Sequence, residues 1–220
     1  MFQFKIDSIT LSGVLPSVFA GEAPSGGDIW LRDITFTPGN YYMVEAESGT
    51  GKSSLCSFIY GNRSDYQGTI RFGERDIRTL SIADWCAVRR SAIALLPQEM
   101  RIFPELTAME NVLIKNDLAA GLPRHEIEPM FNRLGIASKI NTPAGKLSIG
   151  QQQRVAIIRT LCQQARFIIL DEPVSHLDER NNRIVGEMVL ERARRMGAAI
   201  ISTSVGNPLL LPADTIHLTL

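Results

Sequence analysis

The chain has 220 residues, enough for one compact domain, and its 23 basic and 23 acidic side chains give a formal net charge of zero. This balance provides no general attraction to nucleic acid or to an anionic membrane, so partners must be recognised locally. Three cysteines without metal-ligand spacing favour reduced thiols in a cytosolic protein, and no apolar run approaches the roughly 18 residues that a membrane-spanning helix needs.

The first part of the chain is predicted to be mostly β. Short apolar runs precede Gly39, and YYMVE at residues 41–45 is typical of a buried strand. The glycine-containing segment AESGTGKSS at residues 46–54 follows, and LCSFIY after it has the spacing of a helix. The order strand, loop, helix indicates a phosphate-binding unit.

The middle of the chain has a helical pattern. Ile127, Met130, Phe131 and Leu134 lie at i, i+3, i+4 and i+7, which is one face of an amphipathic helix, so we expect a helical insert over residues 80–146. The continuous apolar runs RFIIL (166–170) and AAIIS (198–202) are typical of parallel strands that are covered on both faces. Active residues are then expected at the carboxyl ends of the strands.

The loop at residues 46–54 carries the chemistry of ATP and Mg²⁺ binding. Gly49 and Gly51 let the backbone approach phosphate oxygens, Lys52 adds a charge for the β- and γ-phosphates, and the Ser53 hydroxyl can ligate Mg²⁺. Ala46 stands where the motif G-x-x-x-x-G-K-[ST] begins with glycine, and its Cβ restricts φ. The alternative is a chance glycine turn before a helix. The predicted nucleotide-binding residues of the loop are Glu47, Ser48, Gly49, Thr50, Gly51, Lys52, Ser53 and Ser54.

A pair of acids follows a buried strand in FIILDEP. Asp171, next to the apolar run, suits a second-shell or water-mediated Mg²⁺ contact, and Glu172 can accept a proton from an attacking water. The alternative is an acidic turn that merely ends a strand. The loop upstream favours the catalytic interpretation.

Further motifs resemble those of one family. They are LLPQEM with Gln98, LSIGQQQR at 147–154, LDEP, and SHLD at 175–178. Together they resemble the ATP-binding subunits of ABC transporters over nearly the whole chain, and LTAMENV and GQQQRVAI look most like the cassettes of lipoprotein-release, macrolide-efflux and cell-division complexes. The resemblance implies an α/β P-loop NTPase core with a mainly parallel sheet, an antiparallel β part near the N-terminus and a helical insert. One domain over 1–220 would have a core subdomain at 1–79 and 147–220.

The resemblance also implies roles for residues outside the loop. Two cassettes would close head to tail, so that Ser148, Gly150 and Gln151, together with Asp178, bind the nucleotide between the subunits. Gln98 would reach Mg²⁺ and the attacking water, while Phe103 and Leu106 nearby would dock a membrane partner. Phe19 would stack on adenine, or would instead be a buried strand phenylalanine.

Three positions depart from the family pattern. Ala46 and Ile149 replace glycines, and Ile149 could crowd the partner's nucleotide or disfavour the needed backbone angle. Ser204 stands at the position of the family's switch histidine, and losing one preorganised donor costs about 10²-fold or more in rate. We therefore expect slow hydrolysis by a catalytic set of Glu172, Gln98, Lys52 and Ser204. His176 lies near the expected dimer seam, where solvated polar filler is the simpler interpretation.

The sequence thus predicts a Mg²⁺-dependent ATPase subunit that powers or regulates an integral membrane permease. We expect a cytoplasmic protein held at the inner face of the membrane through that partner, paired with an identical or a different cassette. The alternative is a regulatory pseudo-ATPase whose ATP-dependent closure gates the partner without turnover. Nucleic-acid partners are not expected, because coiled-coil insertions, tandem cassettes and a basic surface are missing from the sequence.

Overall fold

The computed structural model describes residues 6–21, 26–118 and 121–220. Within these residues the strands are β1 (Ile9–Pro16), β2 (Asp33–Phe36), β3 (Tyr41–Glu45), β4 (Tyr66–Phe72), β5 (Arg75–Asp76), β6 (Ile93–Leu96), β7 (Phe167–Asp171), β8 (Ala199–Ser204) and β9 (Ile216–Thr219). The α-helices are α1 (Lys52–Ile59), α2 (Ile82–Ser91), α3 (Ala108–Leu118), α4 (Arg124–Arg133), α5 (Ile149–Leu161) and α6 (Glu179–Met196).

A five-stranded sheet forms the centre of the molecule, in the order β6-β7-β8-β3-β9 with every neighbouring pair parallel. Its register places Asp171 opposite Thr203 and Glu45 opposite Ser204. Because parallel strands share one carboxyl edge, the ends of β3, β7 and β8 meet there. This edge is where the predicted acids and the predicted phosphate loop come together.

A second sheet is antiparallel and has the order β2-β1-β4-β5. Its longest pairing joins β1 to β4, with a register shift between Ser12 and Leu15. The predicted antiparallel β part near the N-terminus is confirmed. The predicted mainly parallel sheet with helices around it is confirmed as well.

Two apolar cores cover the two faces of the parallel sheet. Val44, Ile169 and Ile201 pack into a core with the antiparallel sheet and α1. Ile168 and Ile200, the alternate residues of the same strands, pack into a second core with helices α3 to α6. All residues of β7 and β8 are buried, which explains why these strands have continuous apolar runs.

The segment predicted as a helical insert, residues 80–146, is not purely helical, because it contains one strand of the parallel sheet. Residues 93–96 form β6, which pairs with β7 in the parallel sheet. The helices α3 and α4 come after Gln98, so the boundary predicted near residue 80 is placed too early. The predicted helix face is observed: Ile127, Met130 and Phe131 are buried on α4. None of the helices within the described ranges has both the length and the apolar character needed to cross a membrane.

Candidate active site

The phosphate loop joins β3 to α1 in the predicted place. Gly49 has φ of 84° and Gly51, the residue that precedes α1, has φ of 102°, a region that residues with a Cβ rarely adopt. The Thr50 hydroxyl donates a hydrogen bond to the Glu47 carbonyl over 2.8 Å. Glu47, Ser48 and Gly49 are exposed. The loop therefore has the backbone form that presents amide groups to an anion.

Ala46 fits this loop without strain. The residue does not adopt a positive φ, and its side chain packs against the core beneath the antiparallel sheet. Its N–H donates to the Ser204 carbonyl over 3.3 Å. The conformational restriction expected from the missing glycine is therefore not observed.

Two aromatic residues lie against the loop. The Trp30 side chain is buried, and its indole N–H donates to the Thr50 carbonyl over 3.0 Å. A Cβ placed on Gly51 would lie 3.0 Å from the Trp30 ring and 3.2 Å from the Phe19 ring. Phe19 is half-buried in a short 3₁₀ helix, Ser17–Phe19, so the interpretation as a buried strand phenylalanine is wrong. Its proposed stacking on adenine stays a prediction.

Lys52 is held inside the loop. Its ammonium donates to the Ala46 carbonyl over 2.9 Å and to the Glu47 carbonyl over 2.5 Å. Burial lowers the pKa of Lys52, while the charges of Glu172 and Asp171 act in the opposite direction. The two acids are therefore close enough to stabilise the charged lysine.

The predicted metal ligands come from three elements. The Ser53 hydroxyl of α1 donates to Oε1 of Gln98, which follows β6, over 3.2 Å. Asp171 ends β7 and is buried. Hydroxyl, amide and carboxylate oxygens are the donors that Mg²⁺ prefers. No group of three or more His, Cys, Asp or Glu side chains suited to a metal occurs in the described part of the chain.

Thr203, which the sequence analysis left without a role, connects the two acids. Its hydroxyl donates to Oδ1 of Asp171 over 2.8 Å and accepts the N–H of Glu172 over 3.2 Å. Glu172 has a positive φ of 49°, unusual for a residue with a side chain of this size. The Thr203 contact therefore fixes the backbone at the point where the carboxylate of Glu172 leaves the strand.

Ser204 lies at the end of β8, beside the start of the phosphate loop. It is only 2% exposed, and its hydroxyl has no hydrogen-bond partner among the described residues. An unpaired buried hydroxyl is costly, and it points to a group that a nucleotide or a bound water would satisfy. The Ser54 hydroxyl accepts a hydrogen bond from Arg63 over 2.9 Å, and its contact with a nucleotide stays a prediction.

The predicted signature segment begins α5. Ser148 caps this helix, because its hydroxyl accepts the N–H of Gln151 and its own N–H donates to the Gln151 side chain. Ile149 is the first helical residue, is 57% exposed and has no positive φ, so the backbone restriction expected from its branched side chain is not observed. A Cβ on Gly150 would lie 3.1 Å from the His176 carbonyl, so glycine allows close packing there.

The SHLD segment joins this helix to the acids. Asp178 caps α6 by accepting the N–H of Asn181 over 2.8 Å, and this bond lowers the pKa of the Asp178 carboxyl. Gln153, which the sequence analysis also missed, is buried; its amide donates to the Glu172 carbonyl and its oxygen accepts the His176 N–H. The His176 residue is exposed.

The described hydrogen bonds connect the phosphate loop with Gln98 and with the end of β8, and they connect Asp171 and Glu172 with Thr203. They do not join Ser148 or Asp178 directly to the loop. Those two residues lie on exposed helix starts, where a second molecule has access. A parallel sheet with a glycine loop and an acidic strand end defines the class of P-loop nucleotide-binding proteins.

The family model described as ABC transporter matches residues 32–175, and the chain belongs to this family. An uncharacterised ABC transporter ATP-binding protein of Mycobacterium tuberculosis is 32% identical over 184 residues, which is 82% of this chain and 56% of that protein. The lipoprotein-releasing system ATP-binding protein LolD of Nitratidesulfovibrio vulgaris is 29% identical over 77% of this chain and 74% of its own length. The macrolide export ATP-binding/permease protein MacB of Nitrosomonas europaea is 31% identical over 89% of this chain and 30% of its own length.

A solved dimeric structure of the ABC transporter cassette MJ0796 has the same fold. The TM-score is 0.76 at 23% sequence identity, covering 89% of this chain and 87% of that one. This likeness, together with the family match, confirms the predicted ABC ATPase family and its fold. The chain spans 56% of the length of the mycobacterial relative.

Proposed function

We propose that this chain is a Mg²⁺-dependent ATP-hydrolysing subunit that dimerises head to tail and drives an integral membrane partner. The observation that supports the proposal is the meeting of three elements at one edge of the parallel sheet. These elements are the phosphate loop after β3, Gln98 after β6, and the acids after β7. An open α/β sheet binds its ligand at this edge.

Within this site the amides of residues 47–54 and the Lys52 ammonium hold the phosphates. Ser53, Gln98 and Asp171 would hold Mg²⁺, which neutralises charge on the β- and γ-phosphates when it is bound. Hydrolysis joins the oxygen of a water to the γ-phosphorus and breaks the bond to the β-phosphate oxygen. The Glu172 carboxylate accepts the proton that this water loses.

The dimer would place each nucleotide between two copies of the chain. Ser148, Ile149 and Gly150 form the start of a 13-residue helix, and a helix N-terminus favours an anion. In the closed dimer they would contact the γ-phosphate bound to the phosphate loop of the other copy, with Asp178 near the same seam. Loss of the γ-phosphate removes contacts that favour closure, so turnover opens the dimer. Two identical chains are the simplest arrangement. A heterodimer would instead combine one site that has Ser204 with a second site that has the switch histidine.

Turnover is proposed to be slow because Ser204 occupies the switch position. A serine hydroxyl is shorter than an imidazole and carries no charge, so one preorganised donor to the γ-phosphate would be weakened, at a cost of about 10²-fold in rate. The second candidate function is an ATP-gated regulatory module without significant hydrolysis. The same serine favours it, because it is buried and its hydroxyl has no hydrogen-bond partner among the described residues.

The names of the relatives guide the choice of partner. LolD is named as the ATP-binding protein of a lipoprotein-releasing system, and MacB as an export protein with ATP-binding and permease parts. We extend this pattern to the chain by proposing that it works at the inner face of the cell membrane with a permease. The segment around Phe103 and Leu106 is the proposed contact with that partner.

Calorimetry and phosphate release test the proposal. Wild-type chain is expected to bind Mg·ATP, Lys52→Ala to lose binding, and the exposed-site control Arg71→Ala to keep it. Glu172→Gln is expected to bind ATP and dimerise but to release no phosphate. ATP-induced dimerisation that occurs without phosphate release and is unaffected by Glu172→Gln would select the regulatory module. No binding by the wild type would refute both.

A further inference from the structure

Arg63, which lies outside the predicted set of nucleotide-binding residues, contacts the end of the phosphate loop. It comes after α1, and its Nη1 donates a hydrogen bond to the Ser54 hydroxyl over 2.9 Å. Its Nε and Nη2 donate to the two carboxylate oxygens of Asp65, with Nε and Oδ1 2.9 Å apart. The guanidinium carbon also lies 5.3 Å from the centre of the Phe58 ring. Three contacts therefore hold the guanidinium beside the first turn of α1.

The Ser54 hydroxyl keeps one proton that is free to donate. A hydroxyl group donates one hydrogen bond and can accept two. Ser54 is buried, and its oxygen accepts from Arg63, but its proton has no acceptor among the described residues. Because a charged donor polarises the hydroxyl group, the remaining proton becomes a stronger donor to an anion.

The backbone adds a second donor at the same place. Ser54 is the third residue of α1, and the N–H groups of the first turn of a helix have no partner within that helix. A helix N-terminus also favours a negative charge. The N–H and the hydroxyl of one residue can therefore bind the same phosphate group.

Arg63 and Asp65 connect the two ends of the predicted nucleotide site. One end is the phosphate loop, which Arg63 contacts through Ser54. The other end is Phe19, the predicted contact of adenine, because the Asp65 carbonyl accepts the N–H of Ser17, two residues before it, over 2.9 Å. In ATP the ribose and the α-phosphate join adenine to the β- and γ-phosphates. The pair is therefore placed beside the part of the site where the α-phosphate would lie.

Building on the function proposed above, we infer that Arg63 is a positioning residue for the α-phosphate of the nucleotide. By donating to the oxygen of the Ser54 hydroxyl, it directs the hydroxyl proton to a free oxygen of the α-phosphate. Asp65 holds the planar guanidinium in the orientation that this contact needs. Arg63 thereby raises the affinity for ATP and for ADP alike, because both nucleotides carry this phosphate.

Calorimetry of the full chain with Mg·ATP and with Mg·ADP tests the inference. Arg63→Met keeps an apolar stem over Phe58 but removes the donors, so both nucleotides should bind about three- to tenfold more weakly. Ser54→Ala should weaken binding at least as much. The double variant should be no weaker than Ser54→Ala alone, because Arg63 acts through Ser54. The matched control is Arg124→Met, which removes an exposed ion pair with Glu128 and is expected to bind like the wild type.

ADP that carries sulfur in place of one free α-phosphate oxygen provides a measurement that a purely structural role would not change. This nucleotide has two stereoisomers, and sulfur is a weak hydrogen-bond acceptor. The wild type and Arg124→Met are expected to prefer one isomer by about threefold or more, because the Ser54 hydroxyl contacts one defined oxygen. In Arg63→Met the preference should fall below about twofold, because the hydroxyl is no longer fixed.

Three outcomes would each overturn the inference. They are unchanged nucleotide affinity in Arg63→Met, additive losses in the double variant, and an isomer preference in Arg63→Met equal to that of the wild type. Arg63→Gln replaces Arg63→Met in all these measurements if the methionine variant does not fold. Absence of Mg·ATP binding by the wild type would instead refute the proposed function, so the two failures are distinguishable.

Discussion

Replacing Thr203 by valine keeps the shape of the side chain but removes a hydroxyl with two contacts. The hydroxyl donates to the Asp171 carboxylate over 2.8 Å and accepts the Glu172 N–H over 3.2 Å. A hydrogen bond to a charged group contributes about 1.5–3 kcal/mol, and an unpaired buried N–H costs about 1–3 kcal/mol. Since the two contacts share one atom and are not additive, we expect a loss of about 2–4 kcal/mol in the free energy of unfolding.

The preceding residue of the same strand provides a matched control. Ser202 is fully buried as well, but its hydroxyl has no hydrogen-bond partner among the described residues. For Ser202→Ala, the free energy of unfolding is therefore expected to lie between about 0.5 kcal/mol below and about 1 kcal/mol above that of the wild type. Urea denaturation followed by circular dichroism measures both variants.

The Thr203 variant should also affect chemistry. A displaced Glu172 carboxylate is expected to lower phosphate release about tenfold to hundredfold in Thr203→Val, while ATP binding changes little. Thr203→Ser, which keeps the hydroxyl, should recover most of the rate. Equal destabilisation by Thr203→Val and Ser202→Ala, or a Thr203→Val rate equal to wild type, would refute the idea that this hydroxyl positions the acids.

Three other substitutions probe separate contacts. Trp30→Phe keeps an aromatic ring but removes the hydrogen-bond donor to the Thr50 carbonyl, so the affinity for Mg·ATP measured by calorimetry should weaken about two- to tenfold. Unchanged affinity would show that this hydrogen bond does not hold the phosphate loop in its binding conformation. Lys115→Met should raise the free energy of unfolding by about 1–2 kcal/mol at pH 7. The pKa of Lys115 is lowered from its ordinary 10.5 to about 8 in the folded protein, so the buried charge destabilises the wild type most below pH 8. The extra stability of the variant should therefore decrease as the pH rises from 8 to 10.5, which denaturation at a series of pH values measures. Gly150→Ala should press on the His176 carbonyl and weaken ATP-dependent dimerisation in sedimentation runs, with monomer folding retained; unweakened dimerisation would show that this close packing is not needed.

The sequence predicts best what is determined locally. The glycine loop and the acids after a buried strand each depend on a few consecutive residues, and the structure forms both. The continuous apolar runs of β7 and β8 were likewise sufficient to predict parallel strands, because strands covered on both faces do not alternate between polar and apolar residues. The acid pair then lies where the strand ends.

Contacts between distant segments were not predictable in this way. Trp30 meets Thr50 only because the chain before β2 packs on the loop, and Thr203 reaches Asp171 only because β7 and β8 pair in one register. Ser202 and Thr203 look alike in sequence, yet alternation along a strand gives only one of them a partner. The strand β6 was missed because four residues between helices carry too little periodicity.

The side-chain amide of Gln153 has a consequence for a molecule with two nucleotide sites. It holds the Glu172 carbonyl and the His176 N–H from the middle of α5. In the proposed dimer, the N-terminus of that helix faces the ATP of the opposite subunit. A small shift of α5 on loss of that phosphate would move the backbone beneath the general base of its own subunit. The general base of each subunit would then depend on the nucleotide bound to the other, so the two turnovers would be coupled.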